Sequence, residues 1–316
     1  MREVTFKSGE GFVEGPPCVA WTVSRRCNLK CLRCPAGSEN KEYPGELTME
    51  QAVQMLDELA DYKVPQIILS GGEPLMHPNF FELARYARMW GLRVTLFTNG
   101  TLITQDVANR LAALGLNSVQ VSFDGLYNVN DRARGMDRAF RKAVGGLIRL
   151  KELGQPVGLR FALTRRNIET LGQIFEMVER EGFERIAFHK PGYIPWGRFL
   201  QEDDIPLEEE RAAEETVIRK SRELQARGWK GQVRIVDDRQ SGIARIDADG
   251  SVYPGWFPWE GTIGNVKERS FGDLWQSPAG GRSFDPQLSP GDESGRAHEE
   301  KGHAGDQQDT PVEPMD

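Results

Sequence analysis

The sequence has no uninterrupted apolar run approaching the roughly 20 residues that span a bilayer. Its opening, MREVTFKSGEGF, lacks the basic-then-apolar order of a secretory signal. Both absences lead to the expectation of a cytoplasmic protein that does not engage a membrane. Basic charge is not in excess either: 40 Lys and Arg stand against 47 Asp and Glu, for a formal net charge of −7 and a pI near 5.4. A chain of that sign is poorly matched to nucleic acid or an anionic lipid surface, so small or neutral partners are expected. Cysteine is scarce, and its four copies, Cys18, Cys27, Cys31 and Cys34, fall within 17 consecutive residues. Bridges so close together would staple little of a 316-residue chain. That excludes a disulfide framework and points to a metal centre in a reducing compartment.

What is present is a regular alternation. Short apolar strands are predicted at 19–24, 66–70, 92–98, 118–123, 157–164 and 184–189. Amphipathic helices are predicted between them at 48–62, 78–90, 104–114, 138–153 and 168–181. Thr48 reads as an N-cap, with Met49, Ala52, Val53, Leu56 and Leu59 on one face. Strands separated by helices of this length pair in parallel through right-handed crossovers, giving an α/β sheet or barrel whose function sits at the carboxyl ends of its strands. A charged helix is expected over 206–227. Short antiparallel strands are expected over 233–253, with Asp249-Gly250 as their turn signal. After residue 277, Gly, Pro, Ser and acidic residues dominate, too polar to offset chain entropy, so a disordered acidic tail is expected. The expected organisation is an N-terminal segment (1–17), a core (18–232), a small extension (233–276) and the tail (277–316).

Directly after the first predicted strand comes Cys27-Asn28-Leu29-Lys30-Cys31-Leu32-Arg33-Cys34. A [4Fe-4S] cubane has four irons, and three cysteines leave one of them open to an external ligand. A structural zinc would require a fourth protein ligand, for which Cys18 is the available candidate. The second predicted strand runs into Ser70-Gly71-Gly72-Glu73-Pro74, in which two glycines permit close backbone approach and Glu73 offers an acceptor. The third ends in Thr98-Asn99-Gly100 and the fourth in Ser122-Phe123-Asp124-Gly125.

Together these motifs resemble the radical S-adenosylmethionine (SAM) superfamily. The resemblance implies a partial (β/α)6 TIM-like barrel, followed by a small C-terminal β-hairpin extension. It implies a [4Fe-4S] cluster on Cys27, Cys31 and Cys34, and SAM as the second cofactor. Gly71, Gly72, Glu73, Asn99, Ser122, Asp124 and Arg134 then match the SAM pocket, with the Arg134 guanidinium suited to the SAM carboxylate. The implied chemistry is one-electron cleavage of SAM to a 5′-deoxyadenosyl radical that removes hydrogen from a substrate, with a flavodoxin or ferredoxin as electron donor.

Residues 18–200 look most like the branch of haem-synthesis decarboxylases and quinone-cofactor or peptide maturases. Members of that branch usually carry extra cysteines in a SPASM or twitch extension. Here residues 244–275 resemble that extension, but Gly255 stands where a cysteine is expected, so no auxiliary cluster is expected. The substrate side is expected to include His189, Tyr193, Trp196 and Arg198 in FHKPGYIPWGRF, where aromatic and cationic groups suit a flat or carboxylated small molecule or a peptide. A peptide substrate would call for a recognition module supplied by another protein. The resulting expectation is an oxidoreductase or lyase in cofactor, modified-peptide or natural-product biosynthesis. A tetrapyrrole decarboxylase is the narrower reading, and a non-catalytic iron-sulfur or zinc protein the alternative from another class.

Overall fold

The structure, a computed structural model, describes residues 15–34, 36–190, 205–237, 243–256 and 261–278. Six β/α steps lead the chain: β1 (Val19–Ser24), α1 (Met49–Asp61), β2 (Gln66–Gly71), α2 (Phe80–Met89), β3 (Arg93–Thr98), α3 (Gln105–Leu114), β4 (Ser118–Phe123), α4 (Tyr127–Arg134), α5 (Ala139–Glu152), β5 (Val157–Ala162), α6 (Leu171–Glu181) and β6 (Arg185–Lys190). They are followed by α7 (Leu207–Ala226), β7 (Gln232–Asp237), β8 (Ala244–Ile246), β9 (Ser251–Tyr253), β10 (Gly264–Asn265) and α8 (Phe271–Trp275). The strands form one sheet in the order β10-β9-β8-β1-β2-β3-β4-β5-β6-β7. From β8 to β7 every pairing is parallel. Among the described residues no pairing joins the two ends, so the sheet is a partial barrel left open. Among the described residues no helix is long and apolar enough to cross a membrane.

A period of two sorts the side chains of each strand. Val19, Trp21 and Val23 of β1, Ile67 and Leu69 of β2, Val94 and Leu96 of β3, and Leu159 and Phe161 of β5 join the core beneath the helices. Their alternates, including Thr22, Ser70, Phe97, Ser122, Arg160 and His189, take the opposite, inner face. Phe123, Phe161, Phe188 and Phe175 stack successively with ring centroids 5.3, 6.0 and 5.6 Å apart, tying three adjacent strands to α6. Each such burial contributes about 2 kcal/mol. Thr48 caps α1 in a reciprocal capping box with Gln51.

Two expectations need correction. Residues 233–253 are antiparallel only in part: β8 and β9 pair antiparallel as expected, and β10 joins β9 antiparallel, but β7 pairs in parallel with β6 and β8 also pairs in parallel with β1. The reason is the outer face: Ala244 and Ile246 are core members, and Val233 and Ile235 pack on the same core, so both strands extend it. The Asp249-Gly250 turn does form, between β8 and β9, with Gly250 at φ +89°. Helix α4 was not expected, since YNVNDRAR carries no apolar stripe. It is held by side chains instead: Asn130 accepts from the Asp124 amide at 3.0 Å, and Asp131 accepts from the amides of Arg138 and Phe140, each at 2.7 Å. The expected tail, apart from Ser277 and Pro278, lies outside the described residues.

Candidate active site

The cysteine loop leaves the carboxyl end of β1 and is clamped from two directions. Gly72 N donates to Ser24 O at 2.8 Å and Glu73 N to Arg26 O at 2.9 Å, so the turn after β2 lies directly on the start of the loop. A Cβ at Gly71 would meet Ser24 O at 2.3 Å, and one at Gly72 would meet the carbonyl oxygens of Arg25 and Arg26 at 2.5 Å. Here the glycines are needed for backbone to pass backbone, a more specific reason than close approach to a ligand. From the other side, Lys30 N donates to Arg134 O at 3.2 Å and Leu32 N to Ala133 O at 2.8 Å, seating the loop on the end of α4.

Cys27 is buried, whereas Cys31 and Cys34 are half-buried. Burial pushes the Cys27 thiol up to about 12, with neighbouring Glu73, Cys31 and Cys34 acting in the same direction. Burial also raises Cys31, against the opposing pull of Arg134. A cluster bound at Cys27 and Cys31 would therefore displace protons. N–H groups already attend them. Ser38 N donates to Cys34 Sγ at 3.2 Å, Leu29 N to Cys27 Sγ at 3.5 Å, and Asn99 Nδ2 lies 4.0 Å from Cys27 Sγ. Among the described residues no three His, Cys, Asp or Glu side chains converge on one point as a mononuclear chelate. A cubane makes a different demand, because each thiolate holds its own iron, and three thiols with N–H donors aimed at sulfur fit it. Cys18 cannot complete a four-thiolate site. It precedes a six-residue strand, about 20 Å at 3.3 Å per residue, and packs with Ala20 and Ile68, its thiol also raised to about 12 by burial.

Glu73 is fully buried, and its carboxylate accepts from Thr98 Oγ1 at 2.7 Å, Asn99 N at 2.8 Å and Leu75 N at 3.2 Å. Burial raises its pKa, and these hydrogen bonds oppose the rise. The sequence reading offered Glu73 to a ligand; the structure gives its oxygens three protein donors, which fix the turn after β3. Asp124 Oδ2 lies 2.7 Å from Arg134 Nε, although that N–H is not aimed for a hydrogen bond. Burial works to lower the Arg134 pKa, but the charges of Asp124 and the Cys31 sulfur outweigh it and the net shift is upward. Arg134 thus sits between Asp124 and Cys31. Ser122 lies one strand over from Arg160 and directly paired with it.

On the far side of the inner face, His189 at the end of β6 is buried and meets Arg160, whose Nε donates to His189 Nε2 at 3.0 Å. The Arg160 guanidinium lies over the Phe97 ring, 3.7 Å from its centroid, and 5.7 Å from the centroid of the Trp256 ring. Arg245, directly paired with Ala20, lies 4.4 Å over Tyr253. Lys190 pairs with Glu210 and Glu214 of α7 at 3.2 and 2.8 Å. Tyr193, Trp196 and Arg198 lie outside the described residues. Sequence reading missed Arg160 and Phe97. Strand parity could have found them, since Leu159 and Phe161 facing the helices oblige Arg160 to face inward.

The model of the radical SAM superfamily matches residues 21–178, half of the chain, and spans the cysteine loop and the three strand-end motifs that follow it. The chain belongs to the radical SAM superfamily. It is therefore a radical SAM enzyme, and the family's cofactors, a [4Fe-4S] cluster and SAM, are its own. It is 35% identical to the Fe-coproporphyrin III synthase of Methanosarcina barkeri over 82% of this chain and 73% of that protein. It is 32% identical to the pre-heme d1 synthase of Dinoroseobacter shibae over 83% of this chain and 74% of that protein. Streptococcus suis SuiB bound to S-adenosylmethionine shares the fold, with a TM-score of 0.71 at 16% identity over 85% of this chain and 67% of SuiB.

Proposed function

We propose that Cys27, Cys31 and Cys34 hold the cluster, that SAM lies across the carboxyl ends of β2, β3 and β4, and that the substrate is a tetrapyrrole bearing carboxylates. When bound, the cluster supplies one electron to the sulfonium of SAM and so gives access to a 5′-deoxyadenosyl radical. The chain's own residues supply position. Gly71 and Gly72 let the turn after β2 lie on the cysteine loop, Glu73 fixes Asn99, and Asn99, Ser122 and Asp124 edge the SAM pocket. Arg134, beside Cys31, offers its fork to the carboxylate of SAM. A low-potential flavodoxin or ferredoxin serves as electron donor.

The observation that carries the substrate reading is the character of the inner face, where two guanidinium groups rest on aromatic rings: Arg160 on Phe97, beside Trp256, and Arg245 on Tyr253. Aromatic rings with cations over their faces suit a flat, polyanionic macrocycle. His189, held by Arg160, belongs to the same wall, and Tyr193, Trp196 and Arg198 follow it in the chain. Two relatives similar over most of this chain are named for haem-type products. The test is anaerobic incubation of reduced, reconstituted enzyme with SAM and, separately, iron-coproporphyrin, metal-free coproporphyrin and a panel of peptides, with products read by mass spectrometry. A coproporphyrin should stimulate 5′-deoxyadenosine formation and change in mass. Stimulation by a peptide alone would overturn the substrate reading.

A further inference from the structure

The turn after β3 and the cysteine loop are joined by a closed ring of three hydrogen bonds. Asn99 Nδ2 donates to Asn28 Oδ1 at 2.9 Å, Asn28 Nδ2 donates to Thr101 Oγ1 at 2.9 Å, and the Thr101 hydroxyl donates to Asn99 Oδ1 at 2.7 Å. Each member donates once and accepts once. An amide has distinct donor and acceptor ends, so the ring fails if one carboxamide alone is reversed, and reversing both closes it only in the opposite sense. Thr101 N selects between the two senses by donating to Asn99 Oδ1 at 2.9 Å, and Glu73 holds the Asn99 backbone amide from behind at 2.8 Å. The orientation so fixed places Asn99 Nδ2, rather than its carbonyl oxygen, 4.0 Å from Cys27 Sγ. Asn99 is buried, leaving little water to substitute for the ring if it opens.

We infer that Asn28 and Thr101 are positioning residues for the cluster: through this ring they keep the Asn99 N–H dipole turned toward the Cys27 sulfur and thereby raise the reduction potential. The inference rests on the reading of Cys27 as a cluster ligand. An N–H directed at a coordinating sulfur stabilises the reduced form, which carries one more negative charge, so losing that alignment lowers the potential. Thr101 reaches the sulfur only through Asn99, which separates its effect from a direct contact. Neither residue belongs to the cysteine or glycine pattern of the family motifs, so their role is visible only in the geometry.

The experiment compares Thr101→Val, which keeps the side-chain shape and removes the hydroxyl, with Thr101→Ser, which retains it. Asn28→Ala and the Asn28→Ala/Thr101→Val double variant complete the set. Midpoint potentials of the reconstituted holoenzymes are read by potentiometric titration and electron paramagnetic resonance. The Thr101→Val and Asn28→Ala proteins should both shift to more negative potential, the double variant no further than the larger single shift, and Thr101→Ser should match the parent. A Thr101→Val potential equal to the parent's, or additive shifts in the double variant, would overturn the inference. Where a variant holds too little iron, the iron-free proteins decide: alkylation of Cys27, followed by peptide mapping, should be faster in Thr101→Val than in Thr101→Ser, and equal rates count against the ring. A parent protein that takes up no SAM-responsive cluster would strike the cluster reading itself, an outcome distinct from unshifted variants of a competent parent.

Discussion

The two sides of the barrel mouth are built by different means. Around β1 to β4, loops are fixed to one another by backbone contacts that tolerate no added atom and by carboxylates whose acceptors are taken up by protein donors. Gly71, Gly72 and Gly135 each lie where a Cβ would meet a backbone oxygen within 2.5 Å, and Glu73 accepts from three protein donors. Across the inner face, cations rest on ring faces, as Arg160 of β5 does on Phe97 of β3 and Arg245 of β8 on Tyr253 of β9. Such stacking is less directional than a hydrogen bond and permits adjustment to a guest. On the proposed reading, the rigid side holds the cofactors and the stacked side faces the substrate.

The comparison can be broken most severely at the cysteines. Alanine at Cys27, Cys31 or Cys34 should abolish 5′-deoxyadenosine formation, while Cys18→Ala, at the opposite end of β1, should retain it at a cost of about 1 kcal/mol in stability. Iron content and nucleoside release would separate the two outcomes. On the rigid side, Gly72→Ala should cost about 3 kcal/mol, because only backbone surrounds the added methyl. Gly91→Ala, with open space around it at φ +83°, should cost about 1 kcal/mol of backbone strain. Thermal or urea unfolding measures both. On the stacked side, Arg160→Lys keeps the charge and loses the planar fork. It should raise KM for a carboxylated tetrapyrrole about 10- to 100-fold, more than it changes the Kd for SAM.

The smallest effect is expected at Asp247, which joins the end of β8 to the start of the cysteine loop through Arg25. Burial acts to raise its pKa, but the hydrogen bond from Arg25 and the charge of Arg245 prevail, and the net shift is downward. A carboxylate depressed in the folded state binds fewer protons there than when unfolded. Its stabilisation is therefore present above the unfolded pKa of about 3.9 and is lost as pH falls through the depressed value. Asp247→Asn should cost about 1 kcal/mol at neutral pH and should flatten the acid limb of the stability profile below about pH 4.

The β/α alternation was legible because short apolar strands alternate with helices that, α4 apart, carry a stripe of three to four. Thr48 and the Asp249-Gly250 turn were legible because their local chemistry leaves few alternatives. Helix α4 was not, since its stability comes from Asn130 and Asp131 bonding to backbone outside the helix, a signal absent from apolar periodicity. The parallel pairing of β7 and β8 was hidden for another reason: short strands look alike whichever way they pair, and only a shared core face at both ends of the sheet decides between them. At the site, residue types announced the cysteines and glycines. Asn28, Thr101 and Arg160 are ordinary residues: Asn28 and Thr101 depend on each other across 73 positions and Arg160 on a partner 29 positions away, distances that no local pattern encodes.

The central claim is an iron site left open for SAM by three thiolates. The most direct measurement is the electron paramagnetic resonance spectrum of the reduced, anaerobically reconstituted protein before and after SAM is added, with 5′-deoxyadenosine assayed in the same sample. The account predicts one cubane per chain whose g-values move on SAM addition, with the nucleoside accumulating. A single zinc per chain, or a cubane whose spectrum SAM leaves untouched and from which no nucleoside arises, would contradict it.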